Sequence, residues 1–359
     1  MRVCVMTTAH PPDDVRINKE IKTLIKGGYE VVYIAPEGDF NPEGFEYIPI
    51  KRYLSRKERF LKGRKEIFRK AIEIDADIYH FHDPELIPVG LKLKKLGKKV
   101  IYDVHEDYPS VILMKSWIPK ILRYPVSIIF DIYEKNAVKK LDGIVVVTEK
   151  QAERLKMAKA MAIVPNFPDD ELLENIDEIR FFPEDWTEFV YVGSIDEDRA
   201  IAEIIEAFKI VRSQYEKVGL VLVGPIYSKR LEEIIKNAGD RVIYKPRVPY
   251  QEALKITKGG DVGLLVIKKG RSKEFSSPVK MFEYMAFGLP IIASDFDYWK
   301  RFFKNYPNPV FYVKPDDTDD ITSAMKKALN LRKGKQWWTY SWKSCGKELL
   351  ELYGNIIRR

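Results

Sequence analysis

Residues 276–295 decide the fold class of this chain, and they read SSPVKMFEYMAFGLPIIASD. Ser277 suits the N-cap of a helix, and Pro278 suits the first helical position, where its missing N–H costs nothing. Gly288 suits the left-handed residue that ends a helix, and Pro290 prevents the helix from continuing. The apolar run that follows is typical of a buried strand. The stretch therefore predicts a capped helix and then a strand, as in an α/β fold.

Two charged side chains of the same helix indicate a ligand. Because Lys280 and Glu283 are three residues apart, they share a face of the helix. The free N–H groups at a helix start attract anions. A cation and a carboxylate beside an anion site are the groups that a nucleotide sugar needs, since it combines a diphosphate with hydroxyl groups.

Alternating strand and helix patterns continue on both sides of this stretch. In the first half, buried strands are predicted at Arg2–Thr7, Val31–Ala35, Ile78–His82, Lys99–Asp103 and Gly143–Thr148, with a helix at Val15–Lys26. In the second half, strands are predicted at Glu188–Val192, Leu220–Val223, Val242–Tyr244, Val262–Val266 and Ile291–Ser294. The alternation predicts two tandem Rossmann-like, doubly wound domains, whose ligands bind at the carboxyl ends of the strands.

The domain boundary is indicated by a change of composition. The chain has 359 residues, more than one hydrophobic core usually holds. Strand-like residues end at Pro165-Asn166, and an acidic, proline-punctuated segment follows. We therefore predict a first domain at residues 1–166 and a second at residues 167–340, followed by a last helix.

The composition limits the class of partner. Charged residues make up 32% of the chain and the net charge is +8, which favours nucleotides, phosphates, acidic lipid surfaces or nucleic acid. Nucleic acid is disfavoured because no nucleic-acid motif appears. The two cysteines, Cys4 and Cys345, lie at opposite ends, as expected in a reducing cytoplasm. Apolar runs are short, so we expect neither a signal peptide nor a spanning helix, and a cytoplasmic location.

Three further strings accompany residues 276–295. They are TAHPPDDVR at 8–16, HFHDPEL at 80–86 and YDVHEDYP at 102–109. Together the four strings resemble the retaining GT-B glycosyltransferases of group 1, which are family 4-like, and the resemblance covers nearly the whole chain. The first loop lacks the Gly-x-Gly-x-x-Gly of a nicotinamide or flavin dehydrogenase, which disfavours that class.

The resemblance implies an architecture and an activity. Two domains would enclose an interdomain cleft, and a C-terminal helix at about 341–359 would pack back on the first domain. The activity would be transfer of a sugar from a nucleotide-diphosphate sugar of UDP or GDP type to a hydroxyl of a glycan or lipid-linked acceptor, with retention and without cofactor or metal. Two alternatives stay open: a nucleotide-sugar 2-epimerase of the same architecture, and an inactive binding protein.

The family motif on the donor side has a Glu, seven residues and a second Glu. Glu283 matches the second, whereas Phe275 stands at the position of the first and Glu274 precedes it. The family also has Gly-Arg after the first strand of the second domain, with a Lys six residues after the Gly. Here Ser194 replaces that Arg, and Arg199 stands at the Lys position.

These matches imply the donor-side roles. Arg199 and Lys280 would be catalytic cations on the diphosphate, although Arg199 has the alternative of a surface ion pair with Asp196 or Glu197. Glu283 would accept hydrogen bonds from the ribose hydroxyls. The other donor-binding residues implied are Gly193, Ser194, Arg247, Val248, Glu274, Ser276, Ser277 and Pro278.

The first domain would supply His105, which follows a strand end where the family places a histidine near the reacting sugar. The alternative is a histidine held only by Asp103 or Asp107. His80 and His82 point to one face of a strand and, with Asp83, are also compatible with a metal site. We favour packed or hydrogen-bonded histidines and predict no metal. The acceptor-side candidates are His10, Asp13, Asp14, His82, Glu106 and Asp107.

Two basic segments contain interleaved apolar residues. Residues 51–70 and 111–133 combine Lys and Arg with aromatic and aliphatic side chains. Such segments can lie on anionic lipid surfaces, which would give a peripheral contact at the inner face of a membrane. The alternative is a pair of amphipathic helices that cover the first domain.

Overall fold

The computed structural model describes residues 1–115, 117–270 and 273–358. The chain divides into two compact units. Unit 1 contains Met1–Asn166 and the chain from Lys343 onward, and unit 2 contains Phe167–Trp342. The predicted fold class, two parallel α/β domains of the GT-B type, is confirmed.

Unit 1 is built on a sheet of seven parallel strands. In chain order the strands are β1 Arg2–Met6, β2 Glu30–Pro36, β3 Glu46–Ile50, β4 Ile78–Phe81, β5 Lys99–Val104, β6 Gly143–Val146 and β7 Met161–Ile163. Their spatial order is β3-β2-β1-β4-β5-β6-β7, so β1 lies near the centre. The switch of direction beside β1 is where doubly wound sheets bind ligands.

Helices cover the faces of this sheet. They are α1 Val15–Lys26, α2 Arg56–Glu58, α3 Arg64–Ile74, α4 Ile87–Lys95, α5 Tyr108–Met114, α6 Lys120–Val138 and α7 Glu149–Arg154, with a π-helical turn at Arg59–Gly63 and a 3₁₀ turn at Pro84–Leu86. The start of α1 is fixed by Asp14, whose carboxylate accepts hydrogen bonds from the N–H groups of Arg16 and Ile17.

Unit 2 repeats the plan with six parallel strands. They are β8 Thr187–Val192, β9 Val218–Val223, β10 Val242–Lys245, β11 Val262–Leu265, β12 Ile291–Ser294 and β13 Val310–Val313, in the spatial order β10-β9-β8-β11-β12-β13. The helices are α8 Asp170–Glu174, α9 Ile201–Gln214, α10 Lys229–Lys236, α11 Tyr250–Gly259, α12 Val279–Phe287, α13 Asp297–Phe303 and α14 Thr318–Ala328, with 3₁₀ turns at Glu197–Arg199 and Lys273–Phe275.

The last helix, α15, spans Trp342–Arg358, and from Lys343 it belongs to unit 1. It packs closely on that unit, since a Cβ added at Gly27 would lie 2.5 Å from Leu350. The phenol of Tyr353 lies 2.9 Å from Nδ1 of His80 in β4. None of the helices in the described ranges combines the length and apolar character needed to span a bilayer.

The helix predicted from residues 276–295 is present, but its start was predicted one residue early. Val279 is the first residue of α12 and Pro278 is the N-cap, with an extended ψ of 134°. Ser277 makes no cap, because its hydroxyl lies 3.4 Å from the phenol of Tyr298 instead. The predicted left-handed C-terminus is confirmed, since Gly288 has a φ of 74°.

Candidate functional site

The loop after β1 in unit 1 is held by one buried carboxylate. Asp83 Oδ2 accepts hydrogen bonds from the Thr7 hydroxyl at 2.8 Å, the Thr8 N–H at 2.6 Å and the Ala9 N–H at 3.2 Å. The Thr8 hydroxyl also donates to Glu85 at 2.7 Å. Sequence reasoning considered Asp83 only as a metal ligand. Asp83 follows β4, and β4 neighbours β1 in the sheet. That position is the signal that could have indicated that Asp83 holds the loop after β1.

His10 lies on this braced loop between two carboxylates. Its Nδ1 is 2.9 Å from Asp14 Oδ2, and its Nε2 is 3.6 Å from Asp83 Oδ1. Burial alone would lower the pKa of His10, but the hydrogen bond to Asp14 and the nearby carboxylate charges raise it above its ordinary value. The His10 ring centroid is 5.0 Å from that of His105. The structure therefore brings His10, Asp14 and His105 together.

Next to this loop, His105, His82 and His80 contact one another in sequence toward the interior of unit 1. His82 Nδ1 lies 2.9 Å from His105 Nε2, and the His80 and His82 rings stack with centroids 4.8 Å apart. Burial lowers the pKa of His80 to about 4 and the pKa of His82 well below its ordinary value. Both side chains are therefore neutral at neutral pH. They point to the same face of their strand, as the spacing predicts.

A buried ion-pair network lies beside the histidines. Arg16 Nη2 is 3.0 Å from Asp103 Oδ2, and Arg16 Nε is 3.1 Å from Glu20 Oε1. Burial would raise the pKa of Asp103, but the charges of Arg16 and His105 hold it well below its ordinary value. Burial and the Asp103 charge raise the pKa of Glu20 well above its ordinary value. The negative charge of the pair therefore lies mainly on Asp103, opposite Arg16.

His105 is held by this network. Its Nε2 lies 3.5 Å from Asp103 Oδ2, so Asp103 is one of its partners. Asp107 instead pairs with Arg154, at 3.4 Å between Oδ1 and Nε, and accepts a hydrogen bond from Ser110. Asp13 and Glu106 are exposed. Of the acceptor-side candidates, the structure thus groups His10, Asp14 and His82 around His105.

Four side chains of the network have the donor set of a metal site. Glu20, His80, His82 and Asp103 are buried, and their ligand atoms lie within 4.8 Å of one another. Two imidazoles and two carboxylates are ligands that zinc accepts. The guanidinium of Arg16 already neutralises the two carboxylates, and His80 and His82 each hold a hydrogen-bonding partner at Nδ1. The absence of a metal stays a prediction.

The unit 2 candidates centre on Lys280, the second residue of α12. Its Nζ lies 3.7 Å from the centroid of the Tyr191 ring. A Cβ added at Gly193 would lie 3.1 Å from the same nitrogen, so the ammonium group lies against the backbone after β8. In the described part of the chain, no carboxylate lies within ion-pair distance of Lys280 Nζ. Burial and then the charge of Arg199 lower the pKa of Lys280 well below its ordinary value.

Arg199 ends the 3₁₀ turn that follows β8. Its Nε lies 3.6 Å from Asp196 Oδ2, so the alternative surface ion pair is present, although at a long distance. The other predicted partner, Glu197, is engaged by Arg230 at 2.7 Å. Asp196 also accepts a hydrogen bond from the Ser194 hydroxyl at 3.1 Å.

Gly193 and Gly224 have a structural requirement at the ends of β8 and β9. Their φ angles are 142° and 140°, in the region that side chains disfavour. A Cβ added at Gly224 would meet the carbonyl oxygen of Gly193 at 1.9 Å. The two strand ends therefore approach each other only because Gly224 lacks a side chain, while Gly193 leaves room for Lys280 Nζ.

Glu283 lies one turn after Lys280 and is almost fully buried. Its Oε1 accepts a hydrogen bond of 2.7 Å from the phenol of Tyr250, at the start of α11. Burial and the Glu283 charge raise the pKa of Tyr250 well above its ordinary value, so the phenol stays a donor. Sequence reasoning placed the neighbouring Arg247 and Val248 among the donor-binding residues but did not predict this contact of Tyr250. Arg247 is exposed and Val248 is half-buried, just before α11.

The residues before α12 are placed separately. Glu274 and Phe275 lie in the 3₁₀ turn at Lys273–Phe275, and the Phe275 ring is 6.2 Å from that of Tyr298. The carbonyl oxygen of Ser276 accepts a hydrogen bond of 2.7 Å from the Trp299 indole.

Comparisons with known proteins agree with this fold. The model of the family described as Glycosyl transferases group 1 matches residues 187–330, and that of Glycosyltransferase Family 4 matches residues 16–172. The chain belongs to the group 1 glycosyltransferases of the family 4 type and has the GT-B fold. Comparison of the sequence with curated proteins gives no significant match.

Several solved structures share the fold at low sequence identity. Sucrose-phosphate synthase from Thermosynechococcus elongatus is 17% identical with a TM-score of 0.66, covering 99% of this chain and 94% of that chain. An α,α-trehalose-phosphate synthase (UDP-forming) from Burkholderia xenovorans is 12% identical with a TM-score of 0.66, covering 99% of both chains. A putative UDP-N-acetylglucosamine 2-epimerase from Listeria monocytogenes is 11% identical with a TM-score of 0.68, covering 99% of this chain and 96% of that chain.

Proposed function

We propose that this glycosyltransferase moves a sugar from a nucleotide-diphosphate sugar to a hydroxyl group of a glycan or a lipid-linked acceptor. The observation that carries the proposal is the pair of cations in unit 2. Lys280 has no carboxylate within ion-pair distance in the described ranges, and the neighbouring charge that lowers its pKa belongs to Arg199. Two cations that repel each other are stabilised by an anion between them.

The leaving diphosphate is the anion that fits this arrangement. As the bond from the sugar to the diphosphate breaks, negative charge grows on the diphosphate oxygens. Lys280, Arg199 and the free N–H groups at the start of α12 would stabilise that charge from fixed positions. We propose that the protein needs no metal for this step, since the fixed cations supply the positive charge.

Glu283 would bind the ribose of the donor. A carboxylate accepts two hydrogen bonds, which matches the two hydroxyl groups of a ribose. The hydrogen bond from Tyr250 holds Oε1 at 2.7 Å and so orients the carboxylate. UDP and GDP both carry this ribose, so the base is the part of the donor that the assay has to identify.

The proposed reaction retains the anomeric configuration. The acceptor oxygen would form its bond to the anomeric carbon on the face from which the diphosphate leaves. A diphosphate oxygen would take the proton of the acceptor hydroxyl, so no separate protein base is required. His105, held by His82 and Asp103, would contact the reacting sugar from unit 1. A cytoplasmic location, at the inner face of a membrane for a lipid-linked acceptor, would supply both substrates.

A donor screen tests this function. The purified chain is incubated in EDTA with UDP- and GDP-sugars, with and without glycan acceptors, and the products are identified by mass spectrometry and NMR. We expect transfer from one donor type, with retention, and a large loss of turnover in Arg199→Ala at unchanged melting temperature. Unchanged turnover in Arg199→Ala would contradict its role. An epimerised sugar formed without acceptor would indicate the 2-epimerase, and nucleotide binding without any product would indicate the inactive binding protein.

A further inference from the structure

An exposed apolar face on unit 1 is not used by the proposed reaction. It is formed by residues 51–70, 111–115 and 117–133, here called the basic–apolar face. Its most exposed apolar side chains include Leu54 at 88%, Trp117 at 60%, Ile121 at 84% and Ile129 at 67% of their full area. Exposed apolar residues are ordinary when scattered, but a concentration of them marks an interaction site.

Helix α6 explains why this face cannot be a covered core. In its first three turns almost every side chain is exposed or half-buried, although most are apolar. Ser127 is buried there, and its hydroxyl donates a hydrogen bond of 2.7 Å to the Pro109 carbonyl, which joins α6 to α5. The apolar surface of this hairpin therefore points away from the sheet. An amphipathic helix that only covered unit 1 would bury that surface instead.

The two segments form one surface. The guanidinium carbon of Arg56 lies 4.8 Å from the centroid of the Trp117 ring. Burial raises the pKa of Tyr133, and the charge of Arg64 opposes that rise, which places Arg64 close to Tyr133. The basic segment thus borders the apolar one near both ends of the hairpin.

The charge of this face is strongly positive. Residues 51–70 and 111–133 contain thirteen Lys and Arg against three Asp and Glu, a net charge of +10. The whole chain has a net charge of +8, so the rest of it is slightly acidic. Lys57, Lys65 and Lys120 are exposed and make no ion pair within the described ranges. Their charge is therefore available to a partner.

We propose that the basic–apolar face docks on an anionic phospholipid bilayer, with the apolar side chains of α6 among the headgroups and the surrounding lysines on the lipid phosphates. The combination of a dense apolar surface and a cationic border fits such a bilayer, since each lysine near an anionic membrane adds to the attraction and apolar side chains anchor the contact. A neutral protein partner would leave the positive charge without a counterpart. The inference concerns the surface of unit 1 and does not depend on the transfer reaction.

Vesicle flotation of the full chain tests the docking surface. One set of vesicles is neutral phosphatidylcholine, and the other contains about thirty per cent phosphatidylglycerol. We expect binding to the anionic vesicles only, weakened at least about tenfold when the salt is raised from about 0.1 M to about 0.5 M. Equal binding to both vesicle types, or binding to neither, would overturn the proposal.

Surface variants locate the contact. Ile121→Ser/Ile129→Ser removes apolar area, and Lys57→Glu/Lys65→Glu reverses charge, at exposed positions where folding is unaffected. We expect each pair to weaken binding about tenfold or more. The matched controls lie in unit 2: Ile210→Ser/Tyr227→Ser and Lys229→Glu/Lys236→Glu should bind like the wild type. Circular dichroism confirms that every variant is folded.

Sedimentation of the free protein tests whether this face binds a second copy of the chain instead of a bilayer. A dimer that dissociates in Ile121→Ser/Ile129→Ser, without vesicle binding by the wild type, would show that the face joins two copies of the chain and would overturn the proposal. The donor assay uses soluble substrates, so its failure leaves the vesicle result interpretable. Equally, an active enzyme that ignores anionic vesicles would contradict the docking proposal alone.

Discussion

The two units hold their charged side chains in opposite ways. In unit 1, Arg16 contacts both Asp103 and Glu20, and the neighbouring histidines contact one another. In unit 2, the charge beside Lys280 that lowers its pKa is another cation, Arg199. The charges of unit 1 are compensated within the fold, so they mainly contribute to stability and position. In the described ranges Lys280 has no carboxylate within ion-pair distance and Arg199 has only a long contact with Asp196, so a ligand can supply further negative charge here.

The largest expected effect concerns the stability of unit 1. Asp103→Asn removes the ionised carboxylate opposite Arg16, and burial still opposes ionisation of Glu20 in its place, so we expect a loss of about 3–5 kcal/mol in the free energy of unfolding. Labelling of Cys4 and Cys345 in urea measures it, because both thiols are buried and belong to unit 1.

The matched control is Asp196→Asn in unit 2. Its ion pair with Arg199 is long and partly exposed, so we expect a change below about 1 kcal/mol, measured by tryptophan fluorescence. Similar losses of unfolding free energy in Asp103→Asn and Asp196→Asn would contradict the claim that unit 1 depends more strongly on its ion pairs than unit 2.

The next effect concerns turnover. Lys280→Met removes one cation from the proposed diphosphate site, and we expect a fall of about 100- to 1000-fold in kcat. The melting temperature should stay equal or rise, because burial and the charge of Arg199 already disfavour the charged form of Lys280 in the fold. Lys236→Met, at an exposed lysine of α10, should behave like the wild type. Turnover close to that of the wild type in Lys280→Met would show that this lysine does not stabilise the leaving group.

The histidines of unit 1 make its stability depend on pH. The pKa of His80 is lowered to about 4 in the fold, whereas an unfolded histidine titrates near 6.5. The unfolded chain therefore takes up the proton first as the pH falls, and stability is lost between those two values. Between about pH 7 and about pH 5 the loss from His80 is roughly 2 kcal/mol.

The variant His80→Asn isolates this contribution. Urea unfolding followed by far-UV circular dichroism at both pH values should show a smaller loss on acidification in the variant than in the wild type. Titrating groups outside the stacked histidines cancel in the comparison, whereas the pKa of His82, which His80 helps to lower, changes with the variant. An equal pH dependence in the two proteins would contradict the depressed pKa of His80.

The smallest effect concerns the neighbour of Glu283. Tyr250→Phe removes the hydrogen bond to the carboxylate and nothing else, so we expect nucleoside diphosphate affinity to fall by about three- to tenfold. Tyr227→Phe, at an exposed position of the same unit, is the control for calorimetric titration. If the affinity of Tyr250→Phe is unchanged, the phenol does not position Glu283 for the ligand.

Local patterns predicted much of the fold. Helix α1 begins and ends where the spacing places it, and β12 has the predicted bounds, because capping residues and apolar runs act over a few neighbours. Strand β3 was not predicted, since Glu46–Ile50 is partly exposed and contains Pro49. The start of α12 was one residue off because an extended proline N-cap and a helical first-turn proline look alike in sequence.

The candidate site was predicted residue by residue, but its contacts were not. Arg16 and Asp103 are 87 residues apart, and Tyr250 and Glu283 are 33 apart, so no local periodicity joins them. Strand order brings the first pair together, and packing of α11 with α12 brings the second. The absence of a carboxylate partner for Lys280 in the described ranges is also a property of the fold, because Glu283 and Asp196 are near in sequence or space but bind other groups.

The most direct test of the unit 2 cations is calorimetric titration with UDP, GDP and ADP in EDTA, in buffers of different ionisation heat. A bound diphosphate should raise the depressed pKa of Lys280, so binding should take up protons and weaken as the pH rises. We predict that one nucleotide binds with proton uptake, and that Lys280→Met loses most of the affinity and all of the uptake. Absence of binding by every nucleotide, or unchanged affinity and proton uptake in Lys280→Met, would contradict the account.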